Sequence, residues 1–186
     1  MQIAVFGGSF DPIHIAHVAI VETALEKLNI DKLIIVPTYL NPFKNSFYFE
    51  PEIRLKLLRK VFQKYRNIEI SNFEIAQKKV TYSFDTINYL KELYKPSKIY
   101  FILGEDNLKN LDKWYKINDL RNMVEFVVVT RKAYKSIEAK EFKILDVDID
   151  ISSTSLREEI NMKYIPSEIQ NDIFNLTKGK SFWIQD

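Results

Sequence analysis

The sequence has no cysteine, which removes disulfides, thiolate metal sites and thiol nucleophiles together. Glycine is scarce, at four residues, and histidine scarcer, at two. Neither a Gly-x-x-x-x-Gly-Lys-Ser/Thr phosphate loop nor a Gly-x-Gly-x-x-Gly fingerprint is present. No Gly-x-Ser-x-Gly elbow occurs, and His14 and His17 lie one helical turn apart with no third group placed behind either. A serine-triad hydrolase therefore has no support. No apolar run approaches the roughly eighteen residues of a membrane span. The first residues form a strand pattern rather than a basic segment followed by an apolar stretch, so the cytoplasm is the expected location. An excess of one charge is also missing: 27 Lys and Arg face 25 Asp and Glu, for a net charge of +2. That balance argues against a nucleic-acid surface.

What is present is ordinary globular composition. Of 186 residues, 46% are hydrophobic and 28% charged, which suits one domain over residues 1–186 with a sizeable core. Strands are expected at residues 2–6, 33–36, 68–70, 99–103, 124–130 and 142–147. Helices are expected from Ile15 to Leu28, Pro51 to Tyr65 and Ser83 to Tyr94, around Leu108, at Ile117–Met123, near Ser155 and from Pro166. The tail, Lys180-Ser181-Phe182-Trp183, reads as a last strand or as loose chain. The almost wholly apolar run 124–130 is expected at the centre of the sheet. Arg54, Lys56, Arg59, Lys60, Lys64 and Arg66 read as a solvated helix face. Ser83 and Thr154 read as N-caps. The alternation predicts an α/β fold: a Rossmann-like, doubly wound, mainly parallel sheet flanked by helices, with a small C-terminal helical portion.

The most informative stretch is Gly7-Gly8-Ser9-Phe10-Asp11-Pro12-Ile13-His14-Ile15-Ala16-His17. A buried strand runs into two glycines and then a helix that opens with two histidines. Exposed amides, a helix N-terminus and two imidazoles make an anion site. Helical spacing continues the buried stripe from Val18 and Val21 back to His14 and His17, so both rings should point towards the strand end, where open α/β sheets bind ligands. A metal site using Asp11, or two hydrogen-bonded core histidines, remain the alternatives.

This stretch resembles the signature of the nucleotidylyltransferase superfamily, with its His-x-x-His core. Ile151-Ser152-Ser153-Thr154-Ser155-Leu156-Arg157 is similar to the second signature of that superfamily. Three further matches point to the nicotinate-nucleotide adenylyltransferase family: Val36-Pro37-Thr38 with Asn41-Pro42-Phe43-Lys44, then Tyr82-Ser83-Phe84-Asp85-Thr86, then Gly104-Glu105-Asp106-Asn107 with Trp114-Tyr115. The sequence departs from the pattern at Ala16, Phe43 and Glu105, and beyond Pro166 the match is loose.

The resemblance implies adenylyl transfer from ATP to nicotinate mononucleotide, with deamido-NAD and pyrophosphate as products. Nicotinamide mononucleotide as the acceptor, or a non-catalytic nucleotide-binding module, are the competing readings. It implies that His14, His17, Lys44 and Arg157 carry the charge of the reacting phosphates. It implies Gly7, Gly8, Ser9, Phe10, Ser152, Ser153 and Thr154 around ATP. It implies that the nicotinate ring stacks on Trp114 and that its carboxylate meets amides at Thr86 and Tyr115. Gly104, Asp106 and Arg131 close strands at the ligand edge, where Asp106 is placed to accept from a ribose hydroxyl. Mg²⁺ is expected on the phosphates of ATP, with no protein ligands. Solvation of Lys44, pairing of Arg157 with Glu159 or Asp148, a surface role for Arg131 and a core role for Trp114 are the plainer alternatives. The sequence leaves the oligomeric state open.

Overall fold

The computed structural model describes residues 1–42, 44–130 and 142–178. Six strands form one sheet: β1 (Gln2–Gly8), β2 (Lys32–Pro37), β3 (Ile68–Ile70), β4 (Lys98–Gly104), β5 (Glu125–Thr130) and β6 (Lys143–Asp146). Their order is β3-β2-β1-β4-β5-β6, and every pairing is parallel. This is the Rossmann-like, doubly wound arrangement, in which strand order reverses between β1 and β4. The central pair is therefore β1 and β4. The apolar run at 125–130 lies one strand from the edge, contrary to the expectation of a central place. Its burial comes from helices on both faces, which a parallel sheet needs at every inner strand.

Alternation along β1 divides the core. Ala4 and Phe6 face one apolar cluster, shared with α1 (Ile15–Lys27), α2 (Pro51–Phe62) and the C-terminal helix α7 (Gln170–Thr177). Ile3 and Val5 face the other, shared with α4 (Ser83–Tyr94) and α5 (Ile117–Met123). Ile3, Ala4 and Val5 have no exposed surface. Each large aliphatic side chain buried this way contributes about 1.5–3 kcal/mol. Two surface ion pairs, Lys60–Asp172 and Lys64–Glu168, bring α2 to the C-terminal segment. As exposed pairs they contribute about 0–1 kcal/mol each.

Several boundaries differ from expectation. The stretch after β3 contains a short helix, α3 (Phe73–Gln77), where a loop is expected. Five residues are too few to show helical periodicity. The N-cap of α4 is Tyr82, and Ser83 is its first helical residue. The helix α6 (Ser153–Glu158) is capped by Ser152, not Thr154. Ser152 Oγ accepts from the Ser155 amide at 3.1 Å, and the Ser155 hydroxyl faces back to the Ser152 amide at 3.3 Å. Thr154 is freed to meet Arg157. A nine-residue 3-10 helix, Glu105–Lys113, stands where a short helix around Leu108 is expected. The last helix begins with a 3-10 turn, Ser167–Ile169, directly after Pro166. Among the described residues no helix is long and apolar enough to cross a membrane. The tail at 180–183 lies outside the described residues.

Buried Glu74 on α3 accepts from the Thr86 hydroxyl of α4 at 2.6 Å, while its other carboxylate oxygen has no hydrogen-bond partner among the described residues. Burial pushes its carboxyl up to about 7, with the Thr86 bond opposing. Between its ordinary value of 4.5 and 7, the folded chain holds more protons than the unfolded chain, so stability falls as pH rises through that window. Glu74→Gln should remove this fall, gaining on the order of 3 kcal/mol near pH 8 and little near pH 4. Urea unfolding at the two pH values checks it. Ser152→Ala should cost about 1 kcal/mol by uncapping α6, seen as a lower urea midpoint at unchanged slope.

Candidate active site

The ladder between β1 and β4 ends at Phe6 and Ile102, and the glycines Gly7-Gly8 and Gly104 lie just beyond it. That places them at the switch point, on the carboxyl edge of the sheet. Gly8 lets the Phe10 ring approach closely: a Cβ there would press on that ring at 3.1 Å. Phe10 itself turns the chain, with φ 48°, a left-handed conformation that costs a non-glycine residue about 1–2 kcal/mol. Packing against Phe6 and His17, at ring distances of 5.3 and 4.9 Å, holds it there. The turn delivers His14 to the N-cap of α1, with His17 one turn inside. Their rings stack at 3.7 Å, and His14 is buried. The His14 amide donates to His17 Nδ1 at 3.2 Å. An imidazole accepting at Nδ1 carries its proton on Nε2, so His17 presents a donor from its far side.

Two distant segments fold onto this turn. From α6, the Ser153 hydroxyl donates to the Pro12 carbonyl at 3.0 Å, and Arg157 Nη1 donates to the Asp11 carbonyl at 2.8 Å. Arg157 Nη2 meets Thr154 Oγ1 at 2.9 Å. Arg157 is thereby committed to the first motif, across 146 residues of chain. From the loop after β2, Lys44 Nζ comes within 3.5 Å of Ser9 Oγ. Lys44 is half-buried rather than freely solvated. Its ammonium is held below the usual lysine range, first by burial, then by the Arg157 charge and, more weakly, Arg54, with Asp11 opposing. Phe43 lies outside the described residues.

Two residues that sequence reasoning missed organise the site. Arg54 is only 1% exposed, not part of a solvated face. Its guanidinium donates to the carbonyls of Ser9, Thr38, Tyr39 and Phe49 at 2.6, 2.8, 2.8 and 3.1 Å. A signal existed: Arg54 precedes buried Leu58 by four and buried Val61 by seven, so it lies on the inward stripe of α2. Asp11 is buried too, and its carboxylate accepts the amides of Tyr48 and Phe49 at 2.7 and 2.8 Å. No feature of the sequence marked this use of Asp11.

Across the switch point stand the residues expected at the mononucleotide side. A Cβ at Gly104 would lie 2.5 Å from Asp106 Oδ1, so this glycine lets the Asp106 carboxylate fold back over the strand end. Trp114 is half-buried and meets Phe101 of β4 edge-on at 6.2 Å. It is neither a fully buried core residue nor a free surface ring. Tyr115 is exposed and lies 5.0 Å from the Tyr82 ring, with Lys116 Nζ over the Phe84 ring at 4.6 Å. The Thr86 amide is not free as expected. It donates to the Tyr82 carbonyl at 3.2 Å, and the Asp85 amide does so at 3.0 Å. Among the described residues the open amides of this helix start are therefore those of Ser83 and Phe84. Arg131 lies outside the described residues.

Among the described residues no group of three or more His, Asp or Glu comes together as a metal cage. Asp11, the carboxylate next to the histidines in sequence, accepts one amide at each oxygen. The arrangement gathers two imidazoles, an ammonium and a guanidinium on one turn, groups suited to a chain of phosphates.

A family model described as cytidylyltransferase-like matches residues 5–159, a span that contains both signature motifs. A "probable nicotinate-nucleotide adenylyltransferase" of Aliarcobacter butzleri is 67% identical over 97% of this chain and 99% of its own length. One of the same name from Nitratiruptor is 49% identical over 96% and 100%. Among solved structures, a Plasmodium falciparum nicotinic acid mononucleotide adenylyltransferase complexed with NaAD superposes with a TM-score of 0.77 over 95% of this chain and 96% of that one. At 24% identity that likeness speaks for the fold. The chain belongs to the cytidylyltransferase-like family, and within it to the nicotinate-nucleotide adenylyltransferases, a group of nucleotidyltransferases.

Proposed function

We propose that this chain transfers the adenylyl group of ATP to nicotinate mononucleotide, giving deamido-NAD and pyrophosphate. The observation that carries the reading is the convergence of Lys44, Arg157 and the stacked pair His14 and His17 on one turn at the switch point. The names of the relatives support the choice of mononucleotide.

The chemistry needs little from the protein beyond placement and charge. A phosphate oxygen of the mononucleotide attacks the α-phosphorus of ATP. That P–O bond forms as the bond to the β-phosphate breaks, and the electron pair leaves with pyrophosphate. The nucleophile is already an anion, so no general base is required. His17 offers its Nε2 proton to a phosphate oxygen, and His14 lies stacked beside it. Lys44 and Arg157 neutralise the charge that grows on pyrophosphate. The backbone at Gly7 to Phe10 and the capped start of α6 at Ser152, Ser153 and Thr154 line the nucleotide. Mg²⁺ would come with ATP, bound to its phosphate oxygens, and would neutralise part of their charge. On the other side, Trp114 provides a face for the pyridine ring. The open amides at Ser83 and Phe84, above Thr86, suit its carboxylate, and Asp106 suits a ribose hydroxyl.

The deciding measurement is pyrophosphate release with ATP and each mononucleotide. Release with the nicotinate compound well above the nicotinamide compound is expected. A reversed preference overturns the substrate, and binding without turnover favours a non-catalytic module. His17→Ala should lower turnover on the order of 10²–10³-fold, as loss of an oxyanion donor does. Full activity in that variant would sink the phosphate role of the histidines. Lys44, held below its usual range when free, should take up protons when the triphosphate arrives. Calorimetry at alkaline pH in two buffers of different ionisation enthalpy should therefore give different apparent heats, and the difference should vanish in Lys44→Ala.

A further inference from the structure

We propose that Arg54 is the positioning residue of the phosphate site, acting through Lys44 rather than on substrate. This rests on the reading of the pocket as a phosphate site. Arg54 is anchored on α2 and almost fully buried, yet its bonds go to three separate segments. Nη1 ties the turn at Ser9 to Thr38 at the start of the Lys44 loop. Nη2 adds the neighbouring Tyr39 carbonyl. Nε takes Phe49, at the end of the same loop. Asp11 completes the clamp from the side of the histidines, by accepting the Tyr48 and Phe49 amides. The loop from 38 to 49 is thus pinned at both ends against the turn that carries Ser9, and Lys44 lies between the pins, 3.5 Å from Ser9 Oγ.

A planar guanidinium with its donors in a fixed fork can hold four carbonyls at once. A lysine ammonium has three donors on a flexible stem and cannot reproduce that geometry. The charge of Arg54 survives burial because Asp11, Glu52 and Glu50 offset the desolvation that lowers it. An error of about 1 Å in the placement of a charged group at a transfer site can cost on the order of 10²-fold in rate. The clamp therefore bears on turnover, not only on folding.

A double-mutant cycle separates the two effects, read on kcat and on the affinity for inorganic tripolyphosphate. Arg54→Lys should lower both on the order of 10-fold in the wild-type background, and less than about 2-fold in the Lys44→Ala background. Asp11→Asn, which weakens the far pin and also removes the carboxylate charge beside Lys44 and Arg54, should show the same pattern and carries the cycle if Arg54→Lys does not fold. Equal losses in both backgrounds, or undiminished activity in a folded variant, overturn the role of Arg54 while leaving the proposed function intact. Failure of both variants to fold assigns the clamp to stability alone and overturns it as well. A wild-type chain that does not bind tripolyphosphate overturns this inference and the proposed function together.

Discussion

Four backbone carbonyls converge on the guanidinium of Arg54, and the geometry of the site follows from that meeting. Burying a charge costs several kcal/mol. Here hydrogen bonds to charged groups, each contributing about 1.5–3 kcal/mol, offset it. The acceptors belong to the glycine turn and to both ends of the loop that follows β2. Carbonyls solvate the guanidinium, and the nearby Asp11, Glu52 and Glu50 carboxylates offset part of its desolvation.

The parallel sheet sets the second constraint. Strand order reverses between β1 and β4, so the chain leaves the two central strands in opposite directions and a crevice opens above them. The glycine turn and α1 occupy one side of that crevice, and the segment from Gly104 to Tyr115 occupies the other. The helix α6 bridges back to the first side through Ser153 and Arg157. Its capping box explains how so short a helix can hold an arginine in place: Ser152 and Ser155 satisfy each other, and Thr154 is left to orient the guanidinium.

Much of the fold was legible. Hydrophobic runs located the six strands, and the alternation of strands with helices implied a parallel sheet. The short helix α3 was not legible, because five residues carry no period and its one distinctive residue, Glu74, is a buried carboxylate in a position that reads as polar loop. The rank of β5 in the sheet was misread, because an apolar run reports burial on two faces and not distance from the edge. The N-caps moved because Ser, Thr and Tyr sit close together at both helix starts, and only the hydrogen bonds distinguish them.

By itself the sequence determined the chemical vocabulary: the two histidines, the lysine, the terminal arginine of the second motif and the glycines at the strand ends. Those properties are local and travel with residue type and spacing. Tertiary structure decided everything that depends on which distant groups become neighbours. It turned Arg54 from a surface charge into a buried clamp and gave the Asp11 carboxylate the amides of Tyr48 and Phe49, 37 and 38 residues away. The reason is that hydrogen-bond satisfaction in a packed interior is settled between segments far apart in the chain, and no single segment records it.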